Sequence, residues 1–319
     1  MKYKSASIDL RDIDTDDTSL KITTRAGIDD ILPSITDHGI LNPPVLKKTK
    51  EKLKIVSGFR RISACFHAEK KEIEARIIES NIGVLETIKI AISDNSMQRP
   101  LNLVEESRAL ILLSGCIDNE IKLAETSVLL GLPDNISLIN KIKRISYLPE
   151  SVQSAVAEDF ISLAMAVELN SIEAEAAIFL TRLFKDLKTG LNKQREILTT
   201  SLEIACREEI KVMDVLNDKC FIELINDPDT DRTQKSHSVR QYLKTRRFPE
   251  IIKAEKKFKS RLKALSLGKD IKLIPPKSFE GEYFSLNFNF KDLIELKKQG
   301  EILNGLTKNS IMNHILLKQ

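Results

Sequence analysis

At Gly58 the chain runs a strand straight into a helix. Leu53-Lys54-Ile55-Val56-Ser57 reads as a β-run, Gly58 breaks it, and Phe59-Arg60-Arg61-Ile62-Ser63-Ala64 opens an amphipathic segment at once. Such a junction builds anion sites. Glycine lets the backbone approach a ligand, a new helix offers unpaired N–H groups at the positive end of its dipole, and arginine forks fit phosphate oxygens. Taken alone, the pattern fits a glycine turn followed by two solvated arginines just as readily.

The flanking residues extend the reading. Ile28, Ile31, Leu32 and Ile35 share one face of a short helix closed by Gly39. Val45-Leu46 and Leu53–Val56 read as two strands joined by a Lys/Glu-rich hairpin. Val84 to Met97 has a helical pattern, and Pro100 forces a boundary after Arg99. Asn95 and Arg99, four apart, share a helical face.

In order, the boxes Gly39…Pro43-Pro44-Val45, Gly58-Phe59-Arg60-Arg61, Asp94-Asn95…Arg99 and Leu101-Asn102-Leu103-Val104-Glu105-Glu106 resemble those of the ParB family of DNA-partition and regulatory proteins. The N-terminal domain of that family is related to sulfiredoxin. The resemblance implies a pocket for CTP and Mg²⁺. Gly39, Asn42, Pro43, Gly58, Arg60, Arg61, Asn95 and Arg99 would bind the nucleotide, and Asp94 and Asn95 would lie near the metal. The chain departs from the family pattern at four points. Phe59 stands where an acidic residue is usual, Ser63 where a basic one is, and Asp94 where Glu is; the Asn95–Arg99 spacing is one residue longer. These changes argue against efficient CTP hydrolysis, so any CTPase activity would be weak. The reactive cysteine of sulfiredoxin has no counterpart at Phe59, and Cys65 fits a buried thiol on the following helix.

Beyond this region the signals are helical. At 319 residues, 30% charged, 5% aromatic and without Trp, the chain suits two or three helix-rich soluble domains. Cys65, Cys116, Cys206 and Cys220 lack disulfide or zinc spacing, and no apolar run approaches membrane-spanning length. A cytoplasmic, nucleoid- or plasmid-associated protein with no membrane partner is expected. Ile121–Leu132, a break at Pro133-Asp134 and Ile136–Ile145 follow the helix-turn-helix plan, which an ordinary αα-hairpin also satisfies. In the family this motif follows the nucleotide domain and precedes Leu-Pro-x-x-Val, here Leu148-Pro149-Glu150-Ser151-Val152. Asn135, Ser137, Asn140, Lys141 and Lys143 are the candidates for base edges, with Arg144 for a phosphate.

From Lys235 to Lys263, eleven Lys/Arg face only Glu250 and Glu255, a block suited to phosphate backbones or to a solvated face. Within it Ile251, Phe258, Leu262 and Leu265 form one apolar stripe. Lys272–Pro276 reads as a linker-like break, Tyr283–Phe290 as a half-buried strand, and Leu293–Leu306 as a helix. The expected fold class is α+β. It comprises a small mixed α/β ParB/sulfiredoxin-like domain over 1–98, a helix-turn-helix domain over 99–200, a basic helical segment over 201–270, and a βα tail over 271–319 that would cap the body or serve dimerisation.

The function expected from the resemblance is a homodimeric, CTP-gated binder of double-stranded DNA at a palindromic site, in partition or as a regulator on a plasmid or mobile element. A partition role implies a ParA-like ATPase partner, and Met1–Asp14 does not resemble the family's contact peptide. The alternatives are a DNA-binding protein with an inactive pocket and, further off, a metal-dependent nuclease, which wants clustered carboxylates.

Overall fold

The computed structural model describes residues 3–268, 270–276, 279, 281 and 283–316. It is a mixed α/β chain. The first elements are β1 (Lys4–Asp9), β2 (Ile13–Asp14), α1 (Leu32–His38), β3 (Val45–Lys48), β4 (Leu53–Ser57), α2 (Phe59–His67), β5 (Glu72–Ile78) and α3 (Val84–Ser96). Helices α4 (Leu103–Ser114), α5 (Glu120–Leu129), α6 (Ile136–Lys143), α7 (Glu150–Ala157), α8 (Leu163–Leu169), α9 (Ala174–Leu187) and α10 (Leu191–Glu208) follow. The rest is α11 (Val212–Leu216), α12 (Lys219–Asn226), α13 (Arg232–Arg247), α14 (Pro249–Leu265), β6 (Ile271–Ile274), β7 (Ser285–Phe288), α15 (Leu293–Thr307) and α16 (Ser310–Leu316). The chain divides into two compact units, Met1–Arg195 with Lys211–Met213, and Glu196–Ile210 with Asp214–Gln319.

In the first unit the strands form a sheet in the order β1-β5-β3-β4-β2. Along β5 the residues Ile73, Ala75 and Ile77 point inward while Glu72 and Glu74 are exposed, the period-two alternation of a strand with one buried face. Leu46, Ile55 and Ile73 meet Ile35 of α1 and Ile62 and Cys65 of α2 in one apolar cluster. Truncating a fully buried member such as Ile62 to Ala should cost about 2–4 kcal/mol. The β3–β4 register shifts between Val45 and Leu46, so the sheet is irregular beside Ser57, where β4 gives way to α2. Helix α3 packs against β4. Helix α1 is shorter than the pattern suggests, because Ile28 to Ile31 form a turn ahead of it.

Helix α4 starts with a capping box. Asn102 Oδ1 accepts from the N–H groups of Val104 and Glu105 at 3.1 and 3.0 Å, and Glu105 returns a carboxylate oxygen to Asn102 N–H at 3.2 Å. α4 then buries Val104, Ala109, Leu110 and Leu113, in contact with α5, α6 and α7. Between α5 and α6, Gly131 takes φ +74°, and Leu132 N–H returns to Ser127 C=O at 2.9 Å. This tight turn buries Leu130 and Leu132 and sets α6 against α4.

In the second unit, Phe258, Leu262 and Leu265 of α14 pack with Leu273 of β6, Leu286 of β7, Leu306 of α15 and Ile315 of α16. The segment read as a linker is therefore corrected. Ile271–Ile274 is a strand, with Ile271 and Leu273 buried and the whole run paired antiparallel to Ser285–Phe288 of the same chain. The break belongs to Pro275-Pro276 alone, since proline cannot extend the ladder.

Candidate functional site

Where β4 ends and α2 begins, a cleft of about 280 Å³ opens. It is lined by Ile22, Thr23, Arg25 and Ile31 from the segment leading into α1, by Ser57 to Arg61, by Asn95 in the last turn of α3, and by Gln98 and Arg99 after it. Gly58 makes the junction. Its φ is +96°, and a Cβ there would lie 2.6 Å from Pro44 Cβ and 3.1 Å from Pro44 Cα. Only glycine fits that conformation and that approach. The first helical bond of α2 runs from Ile62 N–H to Gly58 C=O at 3.0 Å, so the N–H groups of Phe59, Arg60 and Arg61 have no partner within the helix.

The arginines are held from behind. Arg60 donates through Nε to Gly27 C=O at 2.8 Å and through Nη2 to Asp30, whose carboxyl is lowered by that bond. Arg61 donates to the carbonyls of Asn42 and Pro43 and, at 3.0 Å, to Asp94 Oδ2. The same Asp94 oxygen accepts from Ser57 Oγ and from Gln98 Nε2 at 3.2 Å. Four arginines line the cleft, and none of the residues lining it is a carboxylate. Such a surface suits a polyanion and leaves the guanidiniums oriented before one arrives.

Arg99 is more committed. Its Nη1 and Nη2 grip Glu105 at 2.7 and 2.6 Å, and Glu105 is 0% exposed. Burial alone would raise the Glu105 carboxyl. The Arg99 fork and the N–H groups of Thr24 and Asn102 overcome it and hold the carboxyl at about 2. Thr24 N–H and Oγ1 lie 2.9 and 3.1 Å from Glu105 Oε1, and Arg108 reaches the carbonyls of Ile22 and Thr23. Helix α4 thus fixes the irregular wall carrying Thr23 and Arg25.

Residues 3–96 match the family model of the ParB N-terminal domain. The probable chromosome-partitioning protein ParB of Rickettsia conorii is 30% identical over 140 residues, 44% of this chain and 46% of that protein. The nucleoid occlusion protein of Halalkalibacterium halodurans is 32% identical over 152 residues, 47% of this chain and 50% of that protein. The chain thus spans about half the length of the curated relatives it matches. A solved structure of C-terminally truncated chromosome-partitioning protein ParB from Caulobacter crescentus, complexed with CTP-gamma-S, is 22% identical and covers 56% of this chain and 97% of that one. Its TM-score of 0.27 carries no argument about this chain.

Within the matched residues and those just after them, the structure gathers Gly58, Arg60, Arg61, Asn95 and Arg99 around the cleft. Asn42 and Pro43 serve it indirectly, through the carbonyls that hold Arg61, and Gly39 (φ +74°) closes α1 without lining the cleft. Asn95 spends its Nδ2 on Ala91 C=O at 2.7 Å. Asp94 lies behind Arg61, with its Oδ2 occupied. Arg25, Thr23, Ser57 and Gln98 were not among the residues expected from the sequence. Arg25 has no side-chain hydrogen bond or ion pair among the described residues and is the freest cation of the cleft.

On α6, Asn135 caps the helix by accepting from Leu138 N–H at 2.9 Å, and Asn140 donates to Glu120 at 3.1 Å. Ser137, Lys141 and Arg144 are exposed and Lys143 is half-buried. The three basic side chains have no ion pair among the described residues. Ile139 and Ile142 hold the opposite face of α6 in the core, which turns these cations outward together.

Proposed function

We propose that the chain is a ParB-type DNA-binding protein gated by CTP, acting as a homodimer in DNA partition or as a regulator on a plasmid or mobile element. The observation that carries this reading is the cleft at Gly58: free helix N–H groups, a glycine no other residue can replace, and four arginines with no carboxylate on the lining. Gly58 and the first turn of α2 would cradle phosphate, while Arg25, Arg60 and Arg61 would neutralise it.

The donor set also fits Mg²⁺. Asp94 is a lone carboxylate with Oδ1 free of hydrogen bonds, and no cluster of three or more His, Cys, Asp or Glu side chains forms among the described residues. Mg²⁺ commonly takes one or two carboxylates and fills its remaining positions with phosphates and water. Asp94 and Asn95 would hold it, and the ion would supply charge neutralisation at the phosphates. The missing carboxylate cluster also disfavours the nuclease alternative. Nothing in the donor set places a general base beside the cleft, in keeping with weak hydrolysis: Phe59 lines it instead.

On α6, Ser137, Lys141, Lys143 and Arg144 would meet a palindromic duplex. The cap made by Asn135 and the bond from Asn140 to Glu120 spend one polar group each and leave the other for a base edge. Linkage makes the gating testable. If duplex DNA favours the nucleotide-bound state, it tightens CTP binding by the same factor as CTP tightens DNA binding. Titrating CTP with and without a duplex that the protein selects from a random pool should give matching factors. Equal CTP affinity in both titrations would remove gating and leave a DNA-binding protein with an idle pocket. A ParA-like ATPase as partner would be tested by pull-down with the motor of the same replicon.

A further inference from the structure

We propose that a second cavity, on the face of α2 that carries Ser63 and Phe66, is a binding site for a small aromatic anion. It measures about 330 Å³, within the range of small-molecule sites. Ile55 of β4 and Ile62 of α2, both buried, form its floor. Thr18 and Lys21, from the segment after β2, line the side across from α2. Arg25, Phe59 and Arg60 line both this cavity and the cleft at Gly58; the other lining residues belong to one or the other. The proposal does not depend on the nucleotide reading of the cleft.

The helix builds an aromatic slot by spacing alone. Phe59, Ile62, Ser63 and Phe66 fall at i, i+3, i+4 and i+7, so they form one stripe along α2. Ile62 is spent in the core, and Ser63 is too small to fill the space between the two rings. Phe59 is half-buried and Phe66 is 42% exposed. Neither ring stacks on another ring among the described residues. A flat ligand entering between them would find the offset or edge-on packing that aromatic faces favour.

The charge around the slot has one sign. The side chains of Lys21 and Arg25 have no ion pair or hydrogen bond among the described residues, and Arg60, held by Gly27 and Asp30, adds a third cation. No carboxylate lines the cavity. Asp17, next to Thr18 in the chain, is spent on Lys54 at 2.7 Å and on Ser19 N–H at 3.0 Å. Apolar walls with free cations beside them select a flat apolar body that carries negative charge. Inorganic phosphate would leave both rings in water, and a neutral ring would gain nothing from the cations.

The test titrates the full chain with the aromatic anion 8-anilinonaphthalene-1-sulfonate, followed by its fluorescence. The chain contains no Trp, so Phe66→Trp places a single indole beside the slot, and the bound dye should draw excitation energy from it. One saturable site is expected. Lys21→Gln should weaken it about tenfold by removing a charge-assisted contact. Ser63→Leu, which fills the space between the rings, should weaken it further, and both variants should keep the parent's unfolding transition. N-phenyl-1-naphthylamine, the same ring system without the sulfonate, should bind at least about tenfold more weakly than the anion. Leu293→Gln with Ile294→Gln, which removes exposed apolar side chains of the second unit, should leave the affinity unchanged. Affinity unaltered by Lys21→Gln and Ser63→Leu, no energy transfer in the Phe66→Trp chain, or equal binding of the neutral dye would overturn the proposal.

Discussion

The arginines of the cleft and those of α13 are equally conspicuous in the sequence and have opposite fates. On α13, Arg240, Arg246 and Arg247 each lie against a glutamate of α10, and the charge is cancelled where it stands. In the cleft, backbone carbonyls of Gly27, Asn42 and Pro43 aim Arg60 and Arg61, and Asp30 and Asp94 complete the grip from behind. Carbonyls orient a guanidinium without neutralising it, and the carboxylates that do pair with cleft arginines, Asp30 with Arg60, Asp94 with Arg61 and Glu105 with Arg99, lie outside the lining and leave only Arg25 unpaired among the described residues. The first arrangement stiffens a helix pair, while the second presents charge to a cleft lined by no acid. Arginine density alone cannot tell the two apart; the partner atoms do.

The largest effect should come from the anchor behind the cleft. Glu105→Ala removes the buried partner of Arg99 and Thr24 and should destabilise the first unit by about 3 kcal/mol, read from urea denaturation. The same group gives a pH signature. Its carboxyl lies lower in the folded chain, at about 2, than its ordinary 4.5. The stabilisation, about 3 kcal/mol, is therefore fully present above pH 4.5 and fades as pH falls toward 2. The Glu105→Ala chain should lose that part of its acid sensitivity; an unchanged acid profile would mean that Glu105 is not the anchor.

Gly58→Ala comes next. A side chain at φ +96°, pressed on Pro44, should cost about 2–3 kcal/mol and displace the first turn of α2. Stability equal to that of the parent would show that the junction does not need glycine. On the other side of the comparison, Arg240→Gln should cost less than about 1 kcal/mol, because its pair with Glu196 is partly open to solvent and screened. A cost as large as that of Glu105→Ala would erase the distinction between the two arginine sets.

Much of the cleft was legible because its core is local. A strand, a glycine and two arginines within nine residues fix both the backbone and the charge, and Gly58, Arg60 and Arg61 all line the cleft. Thr23 and Arg25 were not legible. They arrive from a segment without hydrophobic period and are positioned by α4, about eighty residues further along. Arg99 could be placed near the cleft by its spacing from Asn95, yet its bidentate grip on Glu105 depends on packing that no spacing records. Strand β6 was missed for a different reason. At four residues, Ile271–Ile274 is too short for its alternation to outweigh the two prolines that follow.

Calorimetric titration of CTP, against ATP, GTP and UTP, into the full chain with Mg²⁺ tests the central claim most directly. The account predicts saturable binding selective for CTP, abolished by Arg60→Ala in a chain that keeps the parent's unfolding transition. No saturable binding of any nucleotide, or CTP affinity retained by Arg60→Ala, would contradict it.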